Sequence, residues 1–204
     1  MAILISGRGS NMQAILSSHA KSELRNIEPC VVISNNKDAL GLKIAKEQFG
    51  IATEVILSNG KKGWEYDKEI ATVLKNYCVC PSNGIICLAG YMRILSPQFV
   101  RKYKLRILNV HPSLLPSFKG LRAQKQALDY GVKISGCTVH FIDDNVDTGP
   151  IIIQESVPIY DRDTEEDLSN RILQLEHKLY PIAIKLFSDG KLRLDGRKVH
   201  LLEK

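Results

Sequence analysis

Long apolar runs are absent from the 204 residues. Nothing approaches the ~20 consecutive apolar side chains that a membrane-crossing helix needs, so no membrane partner is expected. The opening MAILISGRGSN has neither the basic leader nor the long apolar core of a secretory signal, and a cytoplasmic location is the expectation. Aromatics are scarce, at 6% with a single Trp, and they do not interleave with the basic residues as a base-stacking platform would. The net charge of +6 therefore reads as a solvated surface and as a mild attraction for a small anionic substrate, with no nucleic-acid partner expected. Cysteines number five, an odd count in a chain long enough to need no staples. Cys78-Val79-Cys80 is not a redox C-x-x-C, and the expectation for all five is small buried apolar residues. The five histidines never fall three or four residues apart, and none lies in a Cys/His metal spacing, so no metal is expected.

What is present alternates between strand and helix. Ala2–Ser6 is an apolar run closed by Gly7-Arg8-Gly9-Ser10-Asn11, and a helical stretch follows. Strands are expected at 30–33, 55–57, 85–89, 107–110, 138–142 and 151–157, the fourth ended by Pro112. Helices are expected at 39–49 with Gly50 as terminator, 65–77, from a Ser96-Pro97 start to about 103, and 123–130 closed by Gly131. A long helix capped by Thr164 carries Leu168, Ile172, Leu175, Leu179, Ile182 and Leu186 at steps of three and four, with Pro181 as a candidate kink or break. Asp195-Gly196 between two short apolar runs signals a hairpin with a type I′ turn. With no repeat and no linker, the fold class is a single α/β domain, residues 1–204, with a mostly parallel Rossmann-like sheet and helices on both faces.

Three constellations carry chemistry. Gly7-Arg8-Gly9-Ser10-Asn11 stands between the first strand and its helix, where free N–H groups and the helix dipole favour a phosphate. A dinucleotide would need a glycine where Met12 stands and an acid where the second strand ends in Ser34-Asn35-Asn36. No Gly-Lys-Ser occurs either, so the loop suits a monophosphate. Asn109 and His111, two apart on a strand, share a face at its carboxyl end, where open α/β sheets place their sites. Asp143-Asp144-Asn145-Val146-Asp147-Thr148-Gly149-Pro150 forms an acidic loop between two strands, without EF-hand spacing.

Together, ISGRGSN, LAGYMRIL at 88–95, LNVHPSLLP at 108–116 and SGCTVHFIDDNVDTGPII at 135–152 resemble the folate-dependent formyltransferase superfamily, along essentially the whole chain. Within it, the opening loop and the length are similar to the branch that serves purine synthesis. The resemblance implies formyl transfer from 10-formyltetrahydrofolate, as co-substrate, to the amine of 5′-phosphoribosylglycinamide, without a metal. It implies Asn109, His111 and Asp147 as a catalytic trio, with Gly9, Ser10 and Asn11 on the phosphate and Glu176 on the ribose hydroxyls. Met92, Arg93, Ile94 and Leu95, together with Asn109 and the backbone of Asp143, Asp144, Asn145, Val146 and Asp147, would line the pterin pocket. A phosphate-binding half of about 1–100 and a folate-binding, catalytic half of about 85–204 follow from it. Many relatives carry His-x-His where this chain has Arg122-Ala123-Gln124, and an arginine near Gly63. Arg122 is a candidate partner for an anionic tail. A tRNA-directed formyltransferase and a formyl-folate deformylase are disfavoured by length. A non-catalytic phosphate-binding module leaves the three polar positions unexplained.

Overall fold

A computed structural model describes residues 1–202. Its chain runs β1 (Ala2–Ile5), α1 (Ser10–Ala20), β2 (Val31–Ser34), α2 (Leu40–Phe49), β3 (Ala52–Val55), α3 (Gly63–Asn76), β4 (Ile86–Leu88) and α4 (Pro97–Lys102). It continues with β5 (Ile107–His111), α5 (Ala123–Tyr130), β6 (Ile134–Phe141), β7 (Ile151–Pro158), α6 (Glu165–Ser188), β8 (Leu192–Asp195) and β9 (Lys198–Leu201). Seven strands form one sheet in the order β3-β2-β1-β4-β5-β6-β7. β1 to β5 pair in parallel, whereas β6 runs antiparallel to β5 and β7 antiparallel to β6.

Strand alternation sorts the core into two layers. Ile3, Ile5, Val32, Cys87, Leu108 and Val110 face a cluster supplied by α1, α2, α5 and α6. Ala2, Leu4, Val31, Ile33, Ile86, Leu88 and Ile107 face α3 and α4 through Tyr66, Ile70, Leu74 and Phe99. Helices thus cover both faces. No helix among the described residues is long and apolar enough to cross a membrane.

Cap chemistry sets the helix ends. Ser96 Oγ accepts from the Phe99 amide at the start of α4, and Thr164 and Asp167 cap each other's backbone at the start of α6. Pro181 neither kinks α6 into two helices nor ends it: the helix continues to Ser188. Tyr180, Pro181, Ala183 and Ile184 are all buried there, and tertiary packing outweighs the lost helical hydrogen bond. The Tyr180 hydroxyl lies 2.8 Å from the Leu108 carbonyl and 3.1 Å from that of Leu88, pinning α6 across β4 and β5.

Three local expectations are corrected. β3 begins at Ala52, not Val55, because its pairing with β2 starts at Val31↔Ala52, directly after the left-handed Gly50 ends α2. In the β8–β9 hairpin Asp195 pairs with Lys198, so the loop is Gly196-Arg197, with positive φ at Gly196 alone. That is the pattern of a type II′ turn, not I′. Burial holds for Cys87 and Cys137, whose thiols it pushes up to about 12, but Cys30 and Cys80 are half-buried and Cys78 is exposed in the α3–β4 turn.

Candidate active site

The order of the parallel strands reverses between β1 and β4, so the carboxyl ends of β1, β4 and β5 open on one crevice. The first wall is the β1–α1 loop. Gly9 sits before α1 in the left-handed region at φ 76° and offers no side-chain cap, leaving the first-turn amides of α1 without intrahelical partners. A Cβ on Gly9 would come within 2.9 Å of Gly41 Cα, so a close backbone crossing with α2 also demands glycine here. Ser6 Oγ donates to Asn35 Oδ1 at 2.6 Å and accepts from the Met92 amide at 2.8 Å. The end of β2, where a dinucleotide fold would offer an acid, instead ties down the loop and the segment after β4.

Asn11 and Glu176 meet behind this loop. Asn11 Nδ2 donates to Glu176 Oε2 at 2.7 Å, both side chains are buried, and Asn11 Oδ1 has no partner within the chain. Burial raises the Glu176 pKa to about 7, against the lowering effect of the Asn11 bond. Glu176 lies one helical turn before Tyr180, whose bonds to the Leu88 and Leu108 carbonyls fix the face that α6 turns towards the sheet.

The second wall comes from β5, β6 and the loop after β6. Asn109 and His111 project from one face of β5, opposite His140 and Thr138 of β6 in register. His111 is buried, with Nε2 at 2.9 Å from the Phe118 carbonyl and Nδ1 at 3.4 Å from Asp147 Oδ2. Both ring nitrogens face acceptors, an arrangement that the doubly protonated ring satisfies. Asp147 Oδ2 also accepts from the Gly120 amide at 2.8 Å. Asp147 has φ 51°, a left-handed conformation that Asp and Asn adopt more readily than other non-glycine residues. Two residues on, the backbone passes so close to β6 that a Cβ on Gly149 would fall 1.7 Å from the Phe141 carbonyl oxygen, so this position demands glycine. Such fixed donors and charges beside a crevice can stabilise an oxyanion and move a proton.

The structure thus brings Asn109, His111 and Asp147 together, and separately Asn11 and Glu176. Met92 and Ile94 are exposed beyond β4, Arg93 stacks on Tyr66 with its Cζ 4.1 Å from the ring centroid, and Leu95 is buried in the α3–α4 layer. Asp143 accepts from the Thr148 hydroxyl at 2.5 Å, and Asp144 pairs with Arg101 at 3.4 Å. Asn145 and Val146 are exposed between them. Arg122 pairs with Glu165 at 2.9 Å. A groove of about 750 Å³ between α1 and α6, which includes Ser17, His177 and Ile182, contains none of the site residues. Among the described residues, no three His, Cys, Asp or Glu side chains gather as metal ligands would.

Sequence reasoning missed four participants. His140 and Thr138 alternate with the buried Cys137, Val139 and Phe141, so polar alternation along β6 was the available signal. Thr138 Oγ1 donates to the Ser113 carbonyl and accepts from Leu115 N and from Gln154 of β7, holding the 112–118 segment against the sheet. The Phe118 carbonyl and Gly120 amide are backbone groups that no residue type announces.

A doubly wound sheet with an uncapped helix start and an Asn–His–Asp cluster at the carboxyl ends of its strands fits an α/β enzyme of the formyl transferase class. The chain belongs to the formyl transferase family, whose model matches residues 1–184. It is 41% identical to the phosphoribosylglycinamide formyltransferase of Escherichia coli (strain K12), over 98% of this chain and 95% of that protein. It is 48% identical to the trifunctional purine biosynthetic protein adenosine-3 of Bos taurus over 95% of this chain, but spans only 19% of that longer protein. The glycinamide ribonucleotide transformylase 1 structure from Symbiobacterium toebii superposes with a TM-score of 0.91 at 44% identity, covering 99% of this chain and 93% of that one.

Proposed function

We propose that this chain transfers the formyl group of 10-formyltetrahydrofolate to the amine of 5′-phosphoribosylglycinamide, yielding formylglycinamide ribonucleotide and tetrahydrofolate, in the cytoplasm and within purine synthesis. The reading rests above all on the buried His111–Asp147 pair at 3.4 Å, set beside Asn109 at the crevice of the switch point. The α1 amides around Gly9, Ser10 and Asn11 take the 5-phosphate, where the helix dipole favours negative charge. Glu176, bonded to Asn11, reaches the ribose hydroxyls, so both halves of the chain hold one substrate. The segments 92–95 and 143–147 line the pterin.

The substrate amine attacks the formyl carbon, its lone pair forming the new C–N bond while the carbonyl electrons move to oxygen. Asn109 donates to that oxyanion, and His111 does so once its Nε2 exchanges the Phe118 carbonyl for it. Asp147 holds the imidazole and assists removal of the amine proton. Collapse breaks the bond to the folate N10, which takes a proton, leaving the balance neutral. No step calls on a metal.

Absorbance of the deformylated folate, followed with and without the ribonucleotide, tests the reading. Turnover is expected only with the ribonucleotide. Equal turnover without it would overturn transfer in favour of hydrolysis.

A further inference from the structure

We propose that His140 is a positioning residue that fixes the Asn109 amide with its NH2 group towards the crevice. The inference rests on the reading of Asn109 as an oxyanion donor. His140 is fully buried on β6, directly opposite Asn109 in the β5–β6 register. Its Nδ1 lies 2.9 Å from the Phe141 carbonyl, which can only accept, so Nδ1 carries the hydrogen. In the neutral ring Nε2 is then a lone pair, and it faces Asn109 Nδ2 at 3.3 Å. A lone pair there repels an amide oxygen and accepts from an amide NH2, so only one of the two amide orientations is satisfied. One Nδ2 hydrogen bonds His140 and the other stays free for the substrate.

The charged surroundings keep this arrangement sharp. Asp147 Oδ1 is 3.8 Å from His140 Nε2, Asp143 lies on the same loop, and His111 faces the ring from β5. The two carboxylates favour protonation of His140, while burial and the neighbouring His111 oppose it. Burial is the largest of these and holds the pKa below the ordinary histidine value. A protonated ring would donate from Nε2 and turn the Asn109 oxygen inward, removing the donor from the crevice. His140 and His111 thus divide the roles: both nitrogens of His111 face acceptors, whereas His140 must keep one nitrogen bare.

Two measurements test the assignment. Ring 15N shifts of histidine-labelled protein at neutral pH should report His140 as the neutral Nδ1–H form; a charged ring or the Nε2–H form overturns the proposal without any variant. In turnover assays, His140→Phe keeps a ring of similar shape without nitrogens and should lower kcat by about 10²-fold, the scale of one lost oxyanion donor, with both KM values within about threefold. His140→Gln, whose Oε1 can accept from Asn109, should recover most of that loss. Asn109→Ala should cost a similar factor alone and add almost nothing in the His140→Phe background, because both changes remove the same donor. Additive losses, or a His140→Phe enzyme within threefold of the parent while Asn109→Ala is crippled, overturn the proposal alone. If Asn109→Ala leaves turnover intact, the functional reading falls and the proposal falls with it.

Discussion

The two walls of the crevice are made of different material. At the β1–α1 turn the receptive groups are backbone amides, displayed because Gly9 leads into α1 in a left-handed conformation and no side chain caps the helix. At the β5–β6 pair they are side chains, set opposite one another because antiparallel register places Asn109 against His140 and His111 against Thr138. The parallel half of the sheet leads a strand into a helix start, which is suited to holding an anion. The antiparallel half lays polar side chains side by side, which is suited to proton and oxyanion chemistry. The first wall should tolerate side-chain changes and fail when a Cβ intrudes; the second should keep its fold and lose turnover atom by atom.

The largest expected effect is on the side-chain wall. Asp147→Asn suits the left-handed backbone at φ 51°, since asparagine visits that region readily, so folding should survive. The amide oxygen can still accept from the Gly120 amide and face His111 Nδ1, the two contacts of Asp147 Oδ2, but the negative charge that supports a protonated imidazole and receives a proton is gone. Turnover should fall by about 10³-fold, while ribonucleotide affinity measured by calorimetry stays within about threefold. A matching loss of affinity would mean that the two walls are not separable.

Glu176, held behind the first wall by Asn11, gives the next effect. Its folded pKa of about 7 stands above the ordinary 4.5 because burial disfavours the charge. Between these values the folded chain holds a proton that the unfolded chain has released, so stability falls as pH rises through that window and levels off above it. This group contributes a loss of about 3 kcal/mol across the window. Glu176→Gln keeps an oxygen for Asn11 Nδ2 and removes the titration. Urea unfolding of the two proteins at pH 5 and pH 8 should show the variant gaining relative stability at the higher pH; parallel curves would refute the assignment.

On the backbone wall, Gly9→Ala combines a left-handed alanine with a contact of 2.9 Å to Gly41 Cα. The expected cost is about 1–3 kcal/mol of stability, together with a raised ribonucleotide KM and little change in kcat. Ser10→Ala, which alters only a side chain on the same turn, should leave that KM within about threefold, because the amides persist. If Ser10→Ala matches Gly9→Ala, the wall is not built of backbone.

The same contrast explains what the sequence could convey. The glycine loop, the Asn109–His111 pair and the acidic loop were legible because each sits at a strand end marked by Gly, Pro or charge. The alternation of strands and helices was legible for the same reason, and α5 begins and ends where Ala123–Tyr130 and Gly131 put it. His140 was not, because inside an apolar strand a histidine looks like a core residue until register reveals its neighbour. Nor was the burial of Glu176 against Asn11, which brings together residues 165 positions apart in the chain. The persistence of α6 through Pro181 and the Gly196-Arg197 turn were likewise settled by packing and pairing, not by local preference.

That hairpin carries the smallest prediction. It lies beyond the 1–184 match to the family, yet Leu192, Leu194 and Val199 pack on the core and Arg197 Nη2 donates to the Thr148 carbonyl at 2.6 Å. Thr148 follows Asp147, so the turn of the hairpin holds the loop that carries the carboxylate. A single exposed hydrogen bond of this kind is worth about 1 kcal/mol. Arg197→Ala should therefore move the melting temperature by only a few degrees while lowering turnover about two- to fivefold, a loss that reflects looser placement of Asp147. In the Asp147→Asn background the same change should cost nothing further in turnover, since the group it positions is already gone. A full additional loss in that background would show that Arg197 acts elsewhere, and that the Asp147 loop is held by its other contacts, the Gly120 amide and the Asp143–Thr148 bond among them.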